Sequence, residues 1–468
     1  MATIVIGGTV VTAVDSYQAD VRIVGEKITA IGQHVHQAGD IQIDAKGCYL
    51  FPGGIDPHTH FDLPVGETTT ADDFISGTKA AAVGGTTTII DFATQNKGES
   101  LEQALANWHE KADGKSYIDY GFHLAVSDVN PSVLEEMTTI SQRTGISSIK
   151  LYMAYKNILQ VDDNTLLQVL KLAAKVGLLV CVHCENGDAI DALVKEAKDK
   201  GQIEPRYHAL TRPITVEQEA TERAIHLAEI AGAPLYVVHV SSEAALQKIE
   251  EGRSRGLAIY GETCPQYLLL DESYYDVEDF TAAKYVMSPP LRPALNQAAL
   301  WLGLNHGSLS TVGSDHCSFN LKGQKELGSS DFSKIPNGGP GVENRFGLLY
   351  TKGVAAGKIS LSQFVAMTST NAAKLFGLFP RKGTIGVGSD ADIVIWDPAA
   401  ETTISAKTQT QKVDYNLYEG MQQIGKPRHV FLRGRTIVKD GILNESAPDG
   451  CYLRRKPYSA RGDDSVYI

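Results

Sequence analysis

Between residues 55 and 317 the chain alternates short apolar runs with stretches of helical periodicity, and that alternation limits what it can fold into. Eight runs read as strands: Ile55–Phe61, Thr87–Ala93, Ile118–Val126, Ser148–Met153, Leu178–Glu185, Pro234–Ser241, Gly256–Cys264 and Thr311–Cys317. Runs such as "LLVCV" and "PLYVV" are apolar on both faces, as parallel strands covered on both sides require. The spacers include "ADDFISGTKAAAVGG", "DDNTLLQVLKLAAKVG", "TVEQEATERAIHLAEIAG" and "SSEAALQKIEEGRSRG", long enough for crossover helices and ending in the glycine that helix C-termini favour. Eight strand–helix units predict an α/β protein, a (β/α)8 TIM barrel. The rival is a doubly wound open sheet, but no GxGxxG loop follows the first strand.

The two ends are alike in style. "TIVIGGTVVT", "ADVRIVGEKITAIG" and "IQIDAKGCYLFPG" near the start, and "ADIVIWDP" and "HVFLRGRTIVKDG" near the end, are short strands broken by Gly, Asp and Lys turns. Such strands cannot bury a face alone. We therefore expect residues 1–52 and 380–450 to pair as a small β-sandwich domain, with the barrel at 53–379 inserted between them. Residues 451–468 have little periodicity and read as a C-terminal arm that packs on a neighbour or stays mobile.

Charge and cysteine usage narrow the function. With 43 basic and 55 acidic residues the formal charge is −12, which argues against nucleic acid or an anionic membrane surface as partner. The first residues alternate as a strand does and lack a basic leader, and no apolar run is long enough to span a membrane. Six scattered cysteines, Cys48, Cys181, Cys184, Cys264, Cys317 and Cys451, suit free thiols in a reducing cytoplasm. The CxxC spacing of Cys181 and Cys184 has no second pair and sits on a strand-like run, so neither a zinc knuckle nor a redox pair is expected.

The chemistry lies in where polar residues interrupt the apolar runs. His58 and His60 in "IDPHTHF" are two apart, and on a strand such residues face the same side. Lys150, His183, His239 and Asp315 likewise follow apolar residues toward the C-terminal ends of their strands. In a barrel those ends open on one rim, where active sites sit. Taken singly, each has a plainer reading: a hydrogen-bonded core histidine, a paired lysine, a capping aspartate. Six such groups converging on one rim would each cost ~1–3 kcal/mol if unpaired, and a metal is their common partner. Imidazole with carboxylate suits zinc ahead of manganese, cobalt or iron, and the ligands outnumber what one tetrahedral ion needs, suggesting two. Lys150 is the odd member. An ammonium is repelled by cations, so its amine must be deprotonated or converted to an anion.

The set "GGIDPHTH", a strand lysine, two strand-end histidines and a strand-end aspartate resembles the amidohydrolase superfamily. "IKLYMAYKN", "VHCENGD", "SPPLR", "GSDHCSF", "IPNGGPGVENR" and "KGTIGVGSDADIVIWDP" bring it nearest to the dihydropyrimidinase and hydantoinase branch, over almost the whole chain. The resemblance implies His58, His60 and Asp315 on one divalent ion, His183 and His239 on a second, and an N6-carboxylated Lys150 bridging both. It implies opening of a cyclic ureide or imide by a metal-bridged hydroxide, with Asp315 passing the proton to the leaving nitrogen. Tyr155 would donate to the oxyanion, Ser288 and Asn337 would hold the ring through backbone groups, and Cys317 would line the pocket. A homotetramer is the family's usual assembly.

Dihydroorotases and allantoinases share these ligands, but the former grip a carboxylate with an arginine just after His-x-His. Here "FDLPVGETTT" follows His60, which favours a neutral ring of the dihydropyrimidine or 5-substituted hydantoin kind, opened to an N-carbamoyl amino acid. A non-catalytic scaffold relative would have lost the ligands, which are intact here. Asp56 is expected to orient a ligand imidazole or the strand start, and His226 to pack in a core. His316 has no assigned role.

Overall fold

The computed structural model describes residues 2–277, 279–446 and 448–459. The barrel strands are β1 (Gly54–Thr59), β2 (Thr86–Thr94), β3 (Asp119–Ala125), β4 (Ser148–Tyr152), β5 (Leu179–His183), β6 (Leu235–Val237), β7 (Ile259–Thr263) and β8 (Thr311–Val312). They pair in parallel in chain order. A bridge from Thr59 to His316, with His60 N–H donating to His316 O at 2.8 Å, joins the last unit to the first. The ring is nearly closed, and it is the barrel the sequence predicted.

The crossovers form for readable reasons. Asp162 and Ser242 accept from the backbone N–H groups of Thr165 and Ala245, capping the helices Asp163–Val176 and Glu243–Ser254. Gly177 ends the first of these in a left-handed turn at φ 73°, a conformation that costs a side-chain-bearing residue strain. The inward-facing Leu166, Val169, Leu170 and Ala173 are fully buried against the sheet.

Two strands fall furthest short of expectation. The reading Pro234–Ser241 shrinks to Leu235–Val237, and Thr311–Cys317 to Thr311–Val312. His239 and Asp315 therefore lie just past their strands, with φ of 40° and 51°. Left-handed backbone stops the hydrogen-bond ladder and re-aims the side chain, at a cost of about 1–3 kcal/mol where the residue is not glycine.

The chain ends meet in two further sheets. One holds Ala2–Ile6, Asp20–Val24, Lys27–Gly32 and Ile41–Asp44, and in the other Ile393–Thr403 lies between Tyr49–Pro52 and Gln422–Leu432 and pairs with both. Val5, Val21, Ile28, Leu50, Ile393 and Phe431 fill the space between them. The joint with the barrel includes an ionic cluster beside its apolar packing: buried Lys382 sits 2.6 Å from Asp119 at the start of β3, 3.1 Å from Asp390 and 2.5 Å from Asp392.

The described part of the arm, to residue 459, lies along the chain's own barrel; residues 460–468 lie outside the described residues. Tyr120 N–H donates to Cys451 O at 3.0 Å, Leu453 N–H to Tyr120 O at 2.7 Å, and Tyr458 N–H to Gly177 O at 2.8 Å. Leu453 is fully buried with Leu179, Tyr236 and Phe376, under the N-terminal ends of the strands. Periodicity missed this because an extended segment held by backbone bonds and one leucine has no pattern to show.

Candidate active site

At the opposite rim the four imidazoles form a chain of ring contacts. His58 and His60 centroids are 5.2 Å apart, His58 and His239 5.4 Å, and His239 and His183 4.7 Å. His58 Nε2 and His60 Nε2 point at one oxygen, Asp315 Oδ1, at 3.1 and 3.3 Å. His183 Nδ1 and His239 Nε2 face each other at 2.9 Å. Burial pushes His58 and His239 far below the usual histidine range, so they are neutral and offer a lone pair. His58 and His60 hold the Asp315 carboxyl low against the opposing effect of burial.

Carboxylates behind the imidazoles fix their orientation. His58 Nδ1 lies 2.5 Å from Glu262 Oε1 on β7, and His183 Nε2 lies 2.9 Å from Glu185 Oε2. Each carboxylate takes the N–H of one ring nitrogen and leaves the other to face the site, the arrangement that metal-ligating histidines use. Glu262 is completely buried, which pushes it up to about 7, and it also accepts from Tyr236 OH at 2.8 Å and His239 N–H at 3.2 Å. Sequence reasoning missed both carboxylates. Glu262 was visible as an acid in the apolar run "LAIYGETC", at the same end of its strand as the other site residues.

Lys150 is buried on β4 and makes no ion pair among the described residues; its Nζ lies 5.0 Å from the Phe92 ring centre and 5.1 Å from that of Tyr152. Burial pushes its amine down to about 8. Whether these residues fit a metal can be judged from their atoms. Among the described residues His58 Nε2, the ring nitrogen turned toward Asp315, is buried without a hydrogen-bond partner, and His58, His60 and Asp315 bring ligand atoms within 4.8 Å of one another. Buried polar atoms lacking partners are costly, and nitrogen with carboxylate oxygen is a zinc-type donor set, so the residues fit.

The remaining residues form the surrounding wall. Tyr155, at φ 66° after β4, packs its ring 5.2 Å from His183, and burial raises its hydroxyl pKa, keeping it a donor. Asn337 donates through Nδ2 to Ser288 Oγ at 3.1 Å, so these two positions are adjacent. Cys317 is buried against Gly338, where a Cβ would come within 2.4 Å of its carbonyl oxygen, and burial pushes its thiol up, away from nucleophile chemistry. Of the two roles expected of Asp56, the imidazole is left to Glu262, and Asp56 Oδ1 holds the strand backbone, accepting from His58 N–H at 3.2 Å and Ser314 N–H at 3.0 Å. His316 bonds Asp72 through Nε2 at 3.0 Å and accepts from Gly341 and Val342 through Nδ1, tying down the glycine-rich segment. His226 lies on the helix Ile214–Ala231 and is exposed, so it is no core residue. The six cysteines are unpaired, and Cys451 alone is exposed.

A parallel barrel with histidines, a lysine and an aspartate at its C-terminal rim defines a metal-dependent hydrolase class. The amidohydrolase family pattern matches residues 49–437, and the chain belongs to that family. It is 54% identical over 460 residues to a D-hydantoinase of Geobacillus stearothermophilus, covering 98% of each chain. It is 44% identical over 460 residues to a dihydropyrimidinase of Rattus norvegicus, covering 97% of this chain and 88% of that one. The crystal structure of a dihydropyrimidinase from Brevibacillus agri NCHU1002 superposes with a TM-score of 0.97 at 55% identity, covering 98% of this chain and 100% of that one. Among the described residues no helix is long and apolar enough to cross a membrane.

Proposed function

We propose that this chain hydrolyses the cyclic amide bond of 5,6-dihydropyrimidines and 5-substituted hydantoins, releasing N-carbamoyl amino acids. The observation that carries this reading is the convergence of four imidazoles, one carboxylate and a buried lysine with no ion pair among the described residues on a single rim. The relatives named D-hydantoinase and dihydropyrimidinase support the cyclic-amide substrate.

His58, His60 and Asp315 would hold one divalent ion, His183 and His239 a second, and Lys150, carboxylated on Nζ, would be shared; zinc suits the donor set. When bound, such a pair polarises the ring carbonyl and brings the pKa of water near neutrality. The chain's own groups do the rest. Glu262 and Glu185 hold the imidazoles of His58 and His183 in place. Asp315 takes the proton of the attacking water and returns it to the leaving ring nitrogen. Tyr155 donates to the oxygen on which charge develops, and Ser288 and Asn337 hold the ring edge through backbone groups. Cys317 lines the pocket. No arginine follows His60 in the hairpin Pro64–Val65 and Thr68–Thr69, which suits a ring without a carboxylate. Five buried unpaired cysteines fit a reducing cytoplasm, and a homotetramer fits the family.

The test is turnover of dihydrouracil and 5-substituted hydantoins beside dihydroorotate and allantoin, before and after chelation and zinc return. Ring opening of the first two, lost on chelation and regained with zinc, is expected. Turnover of dihydroorotate or allantoin alone would overturn the substrate class.

A further inference from the structure

Two neighbouring side chains on the short turn after Cys317 reach the walls of the site from behind. Lys325 is fully buried and forms no ion pair among the described residues. Its Nζ donates instead to two main-chain carbonyls, Val286 O at 2.9 Å and Pro336 O at 3.0 Å. Val286 lies just before Ser288 and Pro336 just before Asn337. The same two segments touch directly, through Gly338 N–H to Val286 O at 3.0 Å and Asn337 Nδ2 to Ser288 Oγ at 3.1 Å.

A lysine buried without a counter-ion is unfavourable, and an apolar chain would fill its space more cheaply. What lysine adds is more than one N–H on a single atom, able to span two carbonyls from distant parts of the chain. Burial pushes its amine down to about 7, and the neutral form still carries two donors for two acceptors. Gln324 faces the opposite way. Its Nε2 donates to Thr68 Oγ1 at 2.8 Å and to Thr69 O at 2.6 Å, in the hairpin after His60.

We propose that Lys325 is a positioning residue for the substrate ring: it clasps the segments carrying Ser288 and Asn337 at the separation that a planar ureide edge needs, while Gln324 ties the same turn to the hairpin after His60. The inference rests on the proposed role of Ser288 and Asn337 in holding the ring. Hydrogen bonds weaken steeply with distance and angle, so loosening either segment acts on ring binding before it acts on the metal-binding residues.

Lys325→Met keeps the stem and removes both donors. The zinc-loaded variant should bind as much metal as the parent and keep kcat within about threefold, while KM for hydantoin and dihydrouracil rises by about tenfold or more. Lys325→Gln, with two N–H groups on a stem one bond shorter, should fall between. Amide hydrogen exchange at Gly338 should quicken in both variants. Unchanged KM, or loss of metal or kcat with KM unchanged, overturns the proposal and leaves Lys325 a structural residue. If Lys325→Met does not fold, Lys325→Gln decides by the same readings. If the parent enzyme opens no cyclic ureide, the functional proposal falls separately, and exchange at Gly338 still judges the clasp: faster supports it, unaltered refutes it.

Discussion

Replacing Glu262 by Gln isolates one physical quantity, the negative charge behind His58. Glu262 is completely buried, with Oε1 2.5 Å from His58 Nδ1 and 3.2 Å from His239 N, and Oε2 2.8 Å from Tyr236 OH. A glutamine of the same shape can satisfy every neighbour. Its oxygen accepts from His58 Nδ1–H and His239 N–H, and its NH2 donates to Tyr236 OH, which can turn to donate to Thr311 Oγ1 at 2.6 Å. Each of these neighbours keeps a partner, so the fold should hold and the melting temperature should move little. What is lost is the charge that makes the imidazole a better donor to a cation, and cations in the site favour that charged form. Loss of such a carboxylate costs about 10–100-fold in metal affinity or activity, equivalent to about 1.4–2.7 kcal/mol. Zinc titration against a competing chelator reads this directly, with turnover of a 5-substituted hydantoin as the second measure. Affinity and turnover both within twofold of the parent would refute the reasoning, because Glu262 would then be only a packed neighbour. Glu262→Ala should do worse than Gln, since it strips the acceptor from three donors at once.

Four further outcomes are expected. Lys150→Ala should lose bound metal and activity, with partial return on adding short carboxylic acids; two metals per chain in that variant would exclude the shared carbamate. Tyr155→Phe should lower kcat about 10²–10³-fold with little change in metal content, as removal of an oxyanion donor does, and an unchanged kcat would remove Tyr155 from the mechanism. Leu453→Ala should destabilise the protein by about 2–5 kcal/mol in urea unfolding if the arm belongs to its own barrel, and a neutral result would place it elsewhere. Lys382→Met leaves the buried carboxylates of Asp119, Asp390 and Asp392 without their shared cation, and should cost about 3–5 kcal/mol by the same measurement; a wild-type midpoint would show that Arg433 on Asp119, with Lys27 and Arg381 on Asp390, suffices.

The sequence by itself determined the architecture and brought the site residues onto one rim. Strand and helix periods are local properties, and a parallel barrel sends every strand end to the same face, so His58, His60, Lys150, His183, His239 and Asp315 could be placed together from their positions in apolar runs. The apolar pattern overran β6 and β8, because a left-handed backbone at His239 and Asp315 leaves no mark in hydrophobicity. Tertiary structure alone decided which atoms face which. Asp56 and Glu262 are both buried acids near His58, and only the fold shows that the first holds its backbone and the second its ring. The same is true of Lys325, Lys382 and the arm through Leu453. Their partners lie far away in the chain or are backbone carbonyls, and contacts of that kind have neither period nor motif, so they exist only once the chain is folded.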